Sequence, residues 1–106
     1  MANETFRVLF HLTVPASAQA ALVAAVQASV PVFMRQRGFV RFTLDRALER
    51  GGVFGTLELA SRKDYEACLD DPAWEERGAA VRRIIEQHGG AMEVVPVERV
   101  LDRPAR

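Results

Sequence analysis

Apolar and polar residues alternate over positions 6–14, with Phe6, Val8, Phe10, Leu12 and Val14 on one side and Arg7, Leu9, His11 and Thr13 on the other. A period of two belongs to a half-buried strand. From 16 to 37 the period lengthens: Leu22, Val26, Val30, Phe33 and Arg37 recur at helical spacing, after Pro15 ends the ladder and Ser17 offers an N-cap. Pro31 falls inside that stripe. It lacks a backbone donor and clashes one turn back, which predicts a kink or break near Val30. Gly38 follows as the helix stop.

Alternation resumes over 39–46, with Val40, Phe42 and Leu44 on one face and Phe39, Arg41, Thr43 and Asp45 on the other. Arg50-Gly51-Gly52 reads as a turn, and a third strand over 53–60 sets Val53, Gly55, Leu57 and Leu59 against Phe54, Thr56, Glu58 and Ala60. Residues 61–88 are helical in two pieces. Ser61 to Asp64 forms a capping box opening a short helix through Leu69, and Asp71-Pro72 supplies the cap and first residue of a longer one. That second helix carries Trp74, Val81, Ile84, Ile85 and His88 along one stripe before Gly89-Gly90 end it. A last strand over 92–100 contains Pro96, which places it at a sheet edge or a bulge, and 102–106 form a tail. A β-α-β unit run twice predicts an α+β, ferredoxin-like split βαβ sandwich: a four-stranded antiparallel sheet with two main helices on one face. One domain is expected over 1–106, with its core at about 6–100.

Two helices cover one side of such a sheet. The other side mixes Leu9, Phe39 and Phe54 with Arg7, His11, Thr13, Arg41, Thr43, Asp45, Thr56 and Glu58, too apolar to stay wet and too polar for a dry core. A face-to-face homodimer resolves this, with His11, Arg41, Asp45 and Glu58 as a polar network in the dimer face.

Composition narrows the classes. The 106 residues are 49% apolar and 26% charged, with formal net charge zero, so no field draws the chain to nucleic acid or an anionic membrane. Cys68 is the one cysteine, so no intrachain disulfide forms. No basic region followed by an apolar run opens the chain, and no apolar stretch of membrane-spanning length is expected; the cytoplasm is the expected compartment. No Cys/His/Asp cluster has metal-ligand spacing, and neither glycine pair has the surroundings of a phosphate loop.

The order of motifs resembles the antibiotic biosynthesis monooxygenase domain of the dimeric α/β-barrel superfamily. The resemblance rests on Phe10-His11-Leu12-Thr13-Val14-Pro15, on Arg37-Gly38-Phe39-Val40, on Thr56-Leu57-Glu58-Leu59 followed by Ser61-Arg62-Lys63-Asp64-Tyr65-Glu66-Ala67, and on Asp71-Pro72-Ala73-Trp74. It covers about 6–100 and implies a homodimer with one pocket per subunit between helices and sheet. Some members of that family oxidise phenolic or quinol-like substrates with dioxygen and neither metal nor flavin. The haem-degrading branch uses an Asn, a Trp and a His where this chain has Phe10, Cys68 and Gly78, so haem degradation is not expected. Many quinol-oxidising relatives place histidines where Cys68 and Ala73 stand here.

The expected activity is therefore a monooxygenase with no cofactor, acting on a small phenol, quinol or anthrone-like molecule. By position, Tyr65 and His88 are the candidates for proton or hydrogen-bond chemistry, and Phe10, Phe33, Phe42, Cys68, Trp74 and Val81 for the substrate pocket. Cys68 as a nucleophile would need a lowered pKa and a base, and nothing in the sequence supplies one. Two other readings fit the same pattern: a muconolactone-isomerase-like enzyme, whose first strand begins similarly to Leu9-Phe10-His11, and a non-catalytic dimeric small-molecule binder.

Overall fold

A computed structural model describes residues 5–105. The elements run β1 (Phe6–Thr13), a 3-10 turn (Ala16–Ala18), α1 (Gln19–Met34), β2 (Phe39–Arg46), β3 (Val53–Leu59), α2 (Arg62–Cys68), α3 (Pro72–Gln87) and β4 (Ala91–Val97). The sheet is antiparallel throughout in the order β2-β3-β1-β4, so the two central strands are those whose inward residues are most buried. Pro96 lies on β4, an edge strand, where its missing donor costs no ladder bond on the open side.

Local chemistry sets the helix ends. Asp64 N donates to Ser61 Oγ at 3.1 Å, while the Ser61 hydroxyl donates to the Asp64 carboxylate at 3.0 Å, closing the predicted cap of α2. Asp71 Oδ1 accepts from Ala73 N at 2.9 Å and caps α3, with Pro72 as its first residue. The start of α1 departs from expectation: Ser17 caps nothing, and the helix enters through a 3-10 turn with no side-chain cap. Nor does Pro31 break it. The helix runs unbroken to Met34 because Pro31 and Gln27, whose carbonyl loses its partner, both lie on the exposed side, where water can satisfy it.

The run Ala16–Met34 also corrects the expected absence of a long apolar stretch: its 19 residues have mean hydropathy 1.4, enough by length and composition to cross a membrane. In this fold Leu22, Val26, Ser29 and Val32 are buried, and the outer side is mostly alanine.

The strand faces follow the predicted alternation with one exception. Between Phe39 and Arg41 the β2–β3 register slips, so Phe39 pairs with Leu59 and packs against the core, while Val40 is 48% exposed. A bulge adds one residue and so inverts the facing of what precedes it; Phe39 therefore leaves the outer face to which alternation assigns it.

The core falls in two parts. One gathers Leu12, Val14, Ala18, Leu22, Val26, Val53, Val81 and Ile85; the other gathers Val8, Leu57, Leu59 and Cys68. Among the described residues, Phe10 and Phe42 alone pack against both.

Candidate functional site

Between the two parts of the core lies a cavity of about 240 Å³. The sheet supplies its floor through Phe10, Leu12, Phe42, Leu44, Gly55, Met92 and Val94; α1 adds Val26, Ser29 and Phe33. Tyr65 and Leu69 close one side, and α3 adds Trp74, Glu75, Arg77, Gly78, Val81 and Arg82. Gly55 and Gly78 create the space. At Gly55, opposite Phe10 on β1 and Leu44 on β2, a Cβ would sit 3.4 Å from the ring of Phe42 and 3.6 Å from that of Phe10. At Gly78 a Cβ would meet nothing within 4 Å. Neither glycine has a positive φ, so each serves room rather than conformation.

The walls form an aromatic cluster. Phe33 lies 4.8 Å from Phe42 and 5.4 Å from Trp74, ring centre to ring centre, and Tyr65 meets Trp74 edge-on at 6.3 Å. Tyr65 also tilts against Phe6 at 5.5 Å, which fixes its ring from behind. These are tilted and edge-on arrangements, which avoid the face-to-face stacking that aromatic quadrupoles disfavour. Trp74 is held in place from the start of its helix: Asp71 Oδ2 accepts from Gln36 Nε2 at 2.8 Å, and the same nitrogen donates to Val32 O, tying α3 to the end of α1.

Polar groups are few. The Ser29 hydroxyl is buried and already donates to Ala25 O at 3.2 Å. Burial pushes the Tyr65 phenol above its ordinary pKa, with neighbouring Cys68 adding to the shift, so at neutral pH it is a hydrogen-bond donor rather than a base. The exposed lining residues Leu69, Glu75, Arg82 and Val94 mark the mouth.

Of the residues predicted for the pocket, Phe10, Phe33, Phe42, Trp74 and Val81 line the cavity, as does Tyr65 from the catalytic pair. Two do not. Cys68 is fully buried behind the wall, its thiol donating to Asp64 O at 3.3 Å; burial and then the carboxylates of Asp64 and Asp71 push it up to about 11, which leaves no thiolate for nucleophilic chemistry. His88 is the exposed C-cap of α3, beyond Ile85 on the helical stripe and outside the cavity. The stripe that suggested a role for it runs past the end of the hollow.

On the outer face of the sheet the register sets Arg41 opposite Glu58 and Asp45 opposite Phe54. Glu58 accepts from Arg7 at 3.1 Å and from the Thr5 hydroxyl, while His11 stacks on Phe54, its partner across β1 and β3, at 4.4 Å and 11°. Neither Arg41 nor Asp45 joins His11 or Glu58 by a hydrogen bond among the described residues. Leu9, Phe54 and Val95 stay 39–40% exposed on this face. A second hollow of about 330 Å³, between α1 and β2, shares Phe42 and Leu44 with the first but has no residue from α2 or α3. Among the described residues no group of three or more His, Cys, Asp or Glu could hold a metal ion.

No family model matches the chain, and no curated protein matches it by sequence. Solved structures do match. The cofactor-independent oxygenase SnoaB from Streptomyces nogalater superposes with TM-score 0.82 at 19% identity, covering 96% of this chain and 99% of that one. A single-residue variant of SnoaB gives 0.80 at 21%, over 98% and 100%. A proposed antibiotic biosynthesis monooxygenase from Deinococcus radiodurans gives 0.76 at 12%, over 95% and 98%. At such identities the likeness carries the fold, an α+β ferredoxin-like sheet with its helices on one face.

Proposed function

We propose that this chain is a cofactor-independent monooxygenase of the antibiotic biosynthesis monooxygenase type, acting on a small electron-rich aromatic, and that it works as a homodimer. The observation that carries the reading is the cavity itself: an aromatic box of about 240 Å³ with one phenolic donor on its inner wall. The fold shared with SnoaB over nearly the whole chain supports it.

The chemistry suits such a box. An anthrone-like substrate carries a methylene whose ionisation gives a delocalised, electron-rich anion. That anion reduces dioxygen directly, a C–O bond forms to give a hydroperoxide, and loss of water leaves a carbonyl. One methylene and one dioxygen thus give one carbonyl and one water, with all four electrons coming from the substrate. The protein excludes bulk water, stacks the ring system against Trp74, Phe33 and Phe42, and offers the Tyr65 hydroxyl to the oxygen on which charge develops. The dimer would bury Leu9, Phe54 and Val95 against the same face of a second copy.

Trp74 is the only tryptophan, so its emission reports on the cavity. Titration with 2-naphthol and with anthrone should change that emission saturably, and Gly55→Leu should abolish the response. Unchanged emission with both compounds would contradict the reading.

A further inference from the structure

The strand registers arrange the outer face of the sheet in three rows that run across the strands. At one end Asp45, Phe54, His11 and Glu93 stand side by side, from β2 through to β4. The middle row, from Thr43 and Thr56 to Leu9 and Val95, carries no charge. At the other end Arg41 lies beside Glu58, which Arg7 already neutralises at 3.1 Å. Asp45, Glu93 and Arg41 are exposed and make no ion pair within 4 Å among the described residues. The face therefore has an acidic end and a basic end, separated by an uncharged row.

A two-fold interface must be self-complementary: where residue i meets j, j meets i. Arg41 and Asp45 satisfy that on one strand, about 13 Å apart with Thr43 midway. An axis across the strands, along the middle row, lays Asp45 over the partner's Arg41 and sets Leu9 and Val95 on their own copies. An axis along the strands instead lays the acidic end on itself, with Asp45 over the partner's Glu93. Diagonal axes set Asp45 on its own copy, or Arg41 and Glu93 each on theirs. Like charges brought together at an interface are strongly unfavourable, so electrostatics selects the first axis.

We propose that the outer face pairs with a second copy about a two-fold axis running across the strands, with Arg41 of each copy bound to the partner's Asp45. Facing sheets lie about 10 Å apart, a gap that an arginine and an aspartate span together. Each dimer holds the pair twice, beside the apolar Leu9 and Phe54 that association covers. This inference rests on the homodimer proposed above and adds its orientation and the residues that fix it.

The test is a dilution series of the full chain by sedimentation velocity. Arg41→Glu and Asp45→Arg should each raise the dimer Kd at least about tenfold, because each sets two like-charge contacts in the seam. An equimolar mixture of those two variants should recover association close to native, since in the mixed dimer every charge at 41 and 45 meets its opposite. Arg41→Glu that associates as the native chain does, or a mixture no tighter than its components, overturns the pairing and leaves the homodimer standing. Asp45→Arg that tightens association also overturns it, as it would relieve Glu93 across an axis along the strands. A native chain that stays monomeric removes the homodimer itself, and the orientation falls with it. Thermal unfolding identifies any variant that fails to fold. In that case Arg41→Gln and Asp45→Asn decide: each should weaken the dimer, and the double variant should be no weaker than the worse single one. Independent, additive effects of the two would count against the proposal.

Discussion

Gly55 lies directly beneath the ring of Phe42, so close that a Cβ there would touch Cε1 and Cζ at 3.4 Å. That distance is ordinary contact, and a methyl group fits where a longer side chain must enter the cavity. Gly55→Ala should therefore fold and bind much as the native chain does. Gly55→Leu should fold, because the new side chain has empty space to occupy, but should reduce binding of 2-naphthol at least tenfold. Calorimetry alongside thermal unfolding checks both, and a Gly55→Leu variant that binds normally would show that the hollow is not the ligand site.

Tyr65 is the phenol that lines the cavity, and burial raises its pKa above the ordinary tyrosine value. It should stay protonated through pH 9, so the rate should not fall over pH 6–9 from its ionisation. Tyr65→Phe should lower kcat/KM for an anthrone by about 10²-fold, the scale for losing a donor to a developing oxyanion, with little loss of stability. A pH–rate profile of both proteins is the measurement.

Much of this was legible in the sequence, and the failures share a cause. The period-two and helical runs, the Ser61 and Asp71 caps and the edge position of Pro96 follow from local chemistry, which reads directly from neighbours in the chain. Phe39 fails because a bulge at the next residue is set by pairing with β3 and leaves no mark in the alternation. His88 and Cys68 fail because a helical stripe says which side faces inward but not where the hollow begins and ends. Gly55 was the available signal: a glycine within an otherwise apolar strand costs stability unless something must approach it closely.

The outer sheet face gives a prediction about association. Phe54 is 40% exposed and stacked on His11 in the middle of a face that also shows Leu9 and Val95. Sedimentation at tens of micromolar should show a dimer, and Phe54→Glu should shift it toward monomer by desolvating a charge at the seam. A native chain that sediments as a monomer would count against the pairing.

The clasp between α1 and α3 should be visible in acid. Gln36 and then the Ala73 amide hold the Asp71 carboxyl below its usual range. Because the folded pKa is depressed, the stabilisation is complete above the unfolded value of about 3.9 and is lost as pH falls through the folded pKa. Gln36→Leu should lower Tm at pH 7, and the gap from the native chain should narrow between pH 5 and pH 2. A gap that stays constant over that range would assign the effect to packing rather than to the carboxylate.

The most direct measurement of the central claim is dioxygen uptake by protein stripped of metals with a chelator, with anthrone as substrate. The aromatic box predicts consumption well above the uncatalysed rate, one dioxygen per anthraquinone formed, unchanged by the chelator and abolished in Gly55→Leu. Uptake no faster than in buffer, or equally fast with Gly55→Leu, would contradict it.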